Sequence, residues 1–140
     1  MLIDNKRIIS IFGLICILLV LTNGCSNHEM GIVTIDKDGS FDSQECMQRG
    51  LNDKVIMLES KYCGHCKATI PDFKDACAEK GVEPIILDLS VDEQRVQMMS
   101  YGISIQFTPT FIFGCDYFVG VKTKQEYSDS LDKFLQEVKR

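Results

Sequence analysis

The stretch KVIMLESKYCGHCKATIP, residues 54–71, joins two patterns of different period and decides the fold. Residues 54–60 contain the continuous apolar run VIML, 55–58, which is typical of a strand that is buried on both faces. Beyond this run, apolar residues recur at helical spacing, at Cys66, Ile70, Phe73 and Cys77. The stretch therefore predicts a strand followed by a helix, which Pro71 should kink and Gly81 should end. The carboxyl end of a strand in such a unit is where chemistry is expected, and two cysteines lie there.

Cys63 and Cys66 could bind a metal, attach a haem, form a structural disulfide or exchange electrons with other thiols. A structural zinc site commonly needs four ligands, but the chain has one CxxC pair and two histidines in total. Covalent haem attachment needs histidine directly after the second cysteine, where Lys67 stands. A structural disulfide between residues three apart would constrain little of the unfolded chain.

The redox interpretation fits the surroundings of the pair best. The unpaired N–H groups and the dipole at a helix N-terminus stabilise a thiolate, and Cys63 is predicted to lie there. His65 adds positive charge or a hydrogen bond beside it, and Lys67 adds charge at longer range. Cys66, one helical turn inward, is then the shielded partner that resolves a mixed disulfide. The pattern predicts Cys63 as the nucleophile, Cys66 as the resolving thiol and His65 as the residue that tunes the thiolate.

The rest of the folded part alternates strands and helices. The predicted elements are a strand at 32–35, a helix from Asp42 to about Gly50, a strand at 84–90, a helix at 91–101, a hairpin at 110–121 and a C-terminal amphipathic helix. Alternating strands and helices predict an α/β domain with a central, largely parallel sheet and helices on both faces, with the hairpin as an antiparallel edge.

Residues 32–140 resemble the thioredoxin superfamily. The resemblance rests on the strand VIML leading into CGHC, on Pro71, on FTPTFIF about 45 residues downstream, and on the closing hairpin and helix. CGHC is the active-site tetrapeptide familiar from protein disulfide isomerases. The resemblance implies a thioredoxin fold with a mixed sheet of about five strands, and a thiol–disulfide oxidoreductase activity that needs no cofactor or metal.

The same resemblance assigns substrate-binding residues. It implies that Pro109 is cis and faces the cysteine pair, and that Thr108 contacts the backbone of a substrate like an added strand. A trans Pro109 that starts an edge strand is the alternative. Tyr62 stands where thioredoxin has tryptophan, and it is the third predicted substrate-binding residue.

One departure concerns a buried acid that thioredoxin carries six residues before its first cysteine. Met57 holds that place in this chain, and Glu59 follows two residues later. Alternation along a strand puts Met57 and Glu59 on one face, so Glu59 could substitute for the acid. The alternative is that Glu59 is a solvated carboxylate at the end of a strand.

The first residues have the composition of an export signal. Lys6 and Arg7 precede an apolar run of 14 residues, 8–21, which is shorter than the roughly 20 that span a bilayer. The following TNGC resembles the cleavage site of bacterial lipoproteins, although Thr22 replaces the usual leucine. We expect a signal peptide at 1–24, lipidation at Cys25 and a tether at 25–31. An uncleaved anchor, or cleavage elsewhere with Cys25 as an ordinary thiol, is the alternative.

Seven cysteines occur, and three of them have no role in these predictions. In the fold that the resemblance implies, Cys77 and Cys115 both lie far from the active site, so we predict a disulfide between them. Cys46 is then the unpaired thiol. The alternative is three thiols without a role.

The net charge of −5 and the absence of a basic run beyond the signal give nucleic-acid binding no electrostatic support. The sequence therefore predicts an extracytoplasmic, membrane-anchored, monomeric enzyme, periplasmic or at the cell surface. Its partners would be protein thiols or disulfides and a redox partner protein. Two alternatives stay open: a thioredoxin-like module that binds clients without turnover, and a reductase that serves cytochrome c maturation. Histidine between the cysteines favours an oxidising or isomerising role over a reducing one.

Overall fold

The computed structural model of the chain describes residues 30–139. The predicted signal peptide 1–24, the lipidation site Cys25 and the tether up to residue 29 lie outside the described residues. The elements are β1 (Val33–Ile35), β2 (Gly39–Ser40), α1 (Ser43–Arg49), β3 (Val55–Glu59), α2 (Gly64–Glu79), β4 (Ile85–Asp88), α3 (Asp92–Ser100), β5 (Ile103–Ile105), β6 (Thr110–Phe113), β7 (Asp116–Val119) and α4 (Lys124–Val138).

Five strands form the central sheet, in the order β2-β7-β6-β3-β4. The β3–β4 pair is parallel, whereas β3–β6, β6–β7 and β2–β7 are antiparallel. The mixed five-stranded sheet is confirmed, but the expectation of a largely parallel sheet with the hairpin at its edge is wrong. The chain returns through β5 and residues 106–109 to the active-site end of the sheet before β6 begins. Strand β6 therefore runs opposite to β3 and lies directly beside it.

Two short strands, β2 and β5, were not predicted from the sequence. Between the predicted first strand and the first helix, Gly39 and Ser40 pair with β7 as strand β2. Strand β5 pairs in parallel with β1 in a separate two-stranded sheet. Both strands are three residues or shorter, which gives a period-2 pattern too little length to appear.

Helices cover both faces of the central sheet. One face packs against α2 and α4 and contains Met57, Cys66, Phe73, Cys77, Phe111 and Tyr127. The other face packs against α1 and α3 and contains Ile35, Cys46, Leu51, Ile56, Met98 and Ile112. The continuous apolar run of β3 is explained because its side chains enter both cores.

The predicted start of α1 is confirmed. The Oδ1 atom of Asp42 accepts hydrogen bonds from the backbone N–H groups of Gln44 and Glu45, each at 2.9 Å. Glu45 pairs with Arg49 at 2.6 Å. The helix stops at Gly50, whose φ of 67° is the left-handed conformation that glycine adopts without strain.

Within residues 30–139, no helix combines the length and the apolar composition needed to cross a membrane.

Candidate active site at the start of helix α2

Cys63 and Cys66 form a disulfide at the N-terminus of α2, with their Cα atoms 5.3 Å apart. The N-cap of the helix is Cys63 itself, and its Sγ accepts a hydrogen bond from the backbone N–H of Cys66 at 3.1 Å. A turn closed by the Cys63 N–H and the Ser60 carbonyl, at 2.8 Å, brings the chain from β3 into this cap. A sulfur in the N-cap position faces unpaired backbone donors, which favours its thiolate form.

The two sulfurs differ in access to solvent. Cys63 is half-buried, whereas Cys66 is fully buried in the core between the sheet and α2. Gly64 and His65, which lie between them, are exposed. An external thiol or disulfide can therefore reach Cys63 and not Cys66.

The Thr108–Pro109 peptide bond is cis, which confirms the prediction for Pro109. The Sγ of Cys63 lies 3.5 Å from the carbonyl oxygen of Thr108, so the redox pair and this segment form one site. Pro109 is buried, and its carbonyl accepts a hydrogen bond from the N–H of Gly120 at 2.8 Å. Thr110 holds the segment from within, because its hydroxyl donates to the Phe107 carbonyl at 2.7 Å.

Two exposed aromatic side chains neighbour Cys63 and Thr108 in sequence. Tyr62 precedes Cys63 and is 81% exposed, and Phe107 precedes Thr108 and is 52% exposed. The Nζ atom of Lys61 lies 5.1 Å from the centroid of the Tyr62 ring. Tyr62 is one of the predicted substrate-binding residues, whereas Phe107 is not among them. An aromatic residue directly before the TPT segment was the available signal for Phe107.

A carboxylate pair lies at the carboxyl ends of β3 and β4. Glu59 and Asp88 are register partners in this parallel pair. Three donors, the Ser90 hydroxyl at 2.6 Å, the Ser90 N–H at 2.9 Å and the Lys61 N–H at 3.2 Å, lower the pKa of Asp88 and keep it ionised. Burial and the neighbouring charge of Asp88 raise the pKa of Glu59, and Lys67 opposes this rise. Glu59 is half-buried, and it is therefore less acidic than a freely solvated carboxylate.

The predicted Cys77–Cys115 disulfide is wrong. Cys115 pairs instead with Cys46, with Cα atoms 5.4 Å apart, and Cys77 is the free cysteine of residues 30–139. The physical reason is the sheet between them: Cys77 lies in the core beneath α2, and Cys115 packs into the core on the opposite face. Burial raises the pKa of Cys77 to about 12, so this thiol stays protonated and unreactive near neutral pH.

Metal binding has no grouped ligand set in the part of the chain that the structure describes. Nowhere in residues 30–139 do three histidine, cysteine, aspartate or glutamate side chains come together in a way that could hold an ion.

The family model described as Thioredoxin matches residues 33–137, which is most of the chain. The protein therefore belongs to the thioredoxin family, and its fold is a thioredoxin fold. The match supports thiol–disulfide oxidoreductase activity in general terms. A search of curated proteins finds no match to this chain.

Proposed function

We propose that the protein is an extracytoplasmic thiol–disulfide oxidoreductase that exchanges disulfides with protein substrates through Cys63 and Cys66. One observation carries the proposal. A half-buried sulfur caps a helix N-terminus, has a fully buried partner three residues later, and lies 3.5 Å from the Thr108 carbonyl.

In the reducing direction, the Cys63 thiolate attacks one sulfur of a disulfide in the client. A mixed disulfide forms, the client disulfide breaks, and its second sulfur leaves as a thiolate with the electron pair. Cys66 then attacks the Cys63 sulfur, the client's first sulfur leaves, and the Cys63–Cys66 disulfide forms. The client gains two electrons and two protons, which the two cysteines lose. The oxidising direction runs these steps in reverse, and a redox partner protein restores the starting state.

The residues around the pair suit a protein client. Thr108 has the position to contact a client's backbone in an extended conformation, as in strand addition. The exposed rings of Tyr62 and Phe107, which precede Cys63 and Thr108 in the sequence, offer apolar area to a client. His65, exposed on the first turn of α2, favours the Cys63 thiolate electrostatically when it is protonated.

Two features support a location outside the cytoplasm. The Cys46–Cys115 disulfide joins segments 69 residues apart, and structural disulfides persist mainly in oxidising compartments. The first 24 residues have the composition of an export signal. We infer that Cys25 is lipidated and anchors the domain to a membrane, and that the domain acts as a monomer.

A trapping experiment tests the proposed chemistry. Cys66→Ala should accumulate a mixed disulfide between Cys63 and clients, because the resolving thiol is missing, and turnover of a protein disulfide such as insulin should be lost. The adducts should be released by dithiothreitol. The control is Cys63→Ala/Cys66→Ala, which should form no adducts.

The same experiment separates the enzyme from a non-catalytic binding module. A module would bind its clients equally well with and without Cys66, and the wild type would not turn over insulin. That outcome would contradict the proposal.

A further inference from the structure

Two hydroxyl groups meet in the core beneath α2, the redox helix that begins at the Cys63–Cys66 pair. The Oγ1 of Thr69 and the phenolic oxygen of Tyr127 are 2.7 Å apart, and the two residues are 2% and 0% exposed. Thr69 lies one turn beyond Cys66 on α2, and Tyr127 lies on α4. Their surroundings are apolar: the ring of Tyr127 lies 5.4 Å from that of Phe73 and 4.8 Å from that of Phe111.

Such a pair is costly to bury unless each hydroxyl is hydrogen-bonded, and valine with phenylalanine would fill nearly the same volume. Net stability therefore gives little reason for the two hydroxyls. What a buried hydrogen bond adds is a fixed relative position of the two elements that carry it. Here those elements are the redox helix and α4.

The phenolic oxygen of Tyr127 also reaches the β7–α4 connection, residues 120–123. It accepts a hydrogen bond from the backbone N–H of Lys122 at 3.1 Å. Burial raises the pKa of Tyr127, so the phenol keeps its proton and can donate it to Thr69 while it accepts from Lys122. Tyr127 thus links α2 to this connection through one atom.

The β7–α4 connection continues the link to the substrate side of the site. The N–H of Gly120 donates to the carbonyl of Pro109 at 2.8 Å. Asp38 fixes the connection from outside, because it accepts from the Val119 N–H at 2.8 Å and pairs with the Lys122 ammonium at 3.0 Å. Three hydrogen bonds, joined by the backbone of residues 120–122, therefore connect α2 to the cis-proline segment.

We propose that Tyr127 and Thr69 are positioning residues of the redox site. Their hydrogen bond holds the β7–α4 connection in place. Through Gly120, this connection holds the Thr108–Pro109 segment in its position beside Cys63. The inference rests on the proposed function, in which Thr108 and Pro109 contact the client. Because neither hydroxyl touches the reacting sulfurs, losing them should impair docking of a client backbone and leave the reactivity of Cys63 intact.

The test compares two disulfide substrates in the double variant Thr69→Val/Tyr127→Phe. Insulin presents a peptide backbone to Thr108, whereas hydroxyethyl disulfide has none. The double variant removes both hydroxyls together, so it leaves no unpaired side-chain hydroxyl in the core. The backbone N–H of half-buried Lys122 loses its acceptor, and circular dichroism verifies that the variant folds. We expect kcat/KM for insulin to fall by about threefold to tenfold, mainly through KM, because small misplacements of a binding edge are costly. The rate with hydroxyethyl disulfide should stay within about twofold of wild type.

Tyr117→Phe is the matched control, since it removes a tyrosine hydroxyl on the opposite face of the sheet. It should change neither rate. The inference is overturned if the double variant keeps its insulin rate, or if both substrates lose rate in equal proportion. A wild-type protein that exchanges with neither substrate would instead refute the proposed function itself.

Discussion

The two disulfides of the described domain have nearly equal spans between Cα atoms, 5.3 and 5.4 Å, yet they lie in opposite environments. The Cys63–Cys66 bond joins residues three apart at a helix N-terminus, and one of its sulfurs is reachable from solvent. The Cys46–Cys115 bond joins residues 69 apart, and Cys46 is fully buried. Access to solvent and a helix N-terminus favour reactivity in the first disulfide, whereas the long separation along the chain favours stabilisation by the second.

Loss of the Cys63 thiol should have a much larger effect on activity than loss of the Cys46–Cys115 bond. Cys63→Ser should lower the rate of insulin reduction by roughly a thousandfold or more, because a serine hydroxyl cannot take part in disulfide exchange. Cys115→Ser should keep most of the rate at a temperature where the variant remains folded. Steady-state turnover of both variants, with circular dichroism to verify folding, checks the prediction. A large loss in Cys115→Ser alone would mean that the roles of the two disulfides are reversed.

The two disulfides should also differ in reduction potential. The active pair should titrate near −200 mV, because a stabilised Cys63 thiolate favours the reduced form, whereas Cys46–Cys115 should lie below about −300 mV, as structural disulfides do. Each is measured by redox titration in a variant that lacks the other pair, Cys46→Ala/Cys115→Ala or Cys63→Ala/Cys66→Ala.

The reduction potential of the Cys63–Cys66 pair also distinguishes an enzyme that oxidises its clients from one that reduces them. A potential near or above −200 mV fits a protein that donates or reshuffles disulfides. A potential near −270 mV would contradict the oxidising role and favour a reductase that receives electrons from a partner. In the second case, His65 does not dominate the stability of the thiolate.

The Cys46–Cys115 disulfide should contribute to the free energy of unfolding. Cys46→Ala/Cys115→Ala should lower the free energy of unfolding by about 2–4 kcal/mol, since the loop of 69 residues becomes free in the unfolded chain. Guanidinium unfolding of oxidised wild type and variant measures this difference. The matched comparison is Cys63→Ala/Cys66→Ala, which opens a loop of three residues and should cost much less. Equal losses in the two variants would contradict the division of roles.

The comparison also shows what the sequence could and could not predict. The redox pair, its helix and the cis Pro109 were predictable because local spacing and a family resemblance mark them. The partner of Cys115 was not, because the answer depends on which face of the sheet each cysteine enters. Cys77 and Cys115 lie at the same end of the fold, but β6 separates their cores, and no local pattern states that. The position of β6 beside β3 likewise depends on the return path of the chain.

The smallest expected effect concerns Glu59, a titratable group on the redox side of the sheet. It lies on the same strand as Met57, two residues on, and therefore shares its face toward α2. Burial and Asp88 raise the pKa of Glu59 above its ordinary value of 4.5. The native state then binds more protons than the unfolded state between the ordinary and the raised pKa. Linkage requires this group's contribution to stability to fall as the pH rises through that window.

Glu59→Gln should therefore gain stability relative to wild type as the pH rises from about 4 to 7, because the glutamine carries no charge to desolvate. Thermal unfolding of both proteins across this range measures the gain, and Glu83→Gln, at an exposed carboxylate, is the control that should follow wild type. Parallel curves for Glu59→Gln and wild type would mean that Glu59 is an ordinary solvated carboxylate. A gain confined to Glu59→Gln would show that burial and Asp88 make this carboxyl group bind a proton more readily in the folded protein than in the unfolded chain.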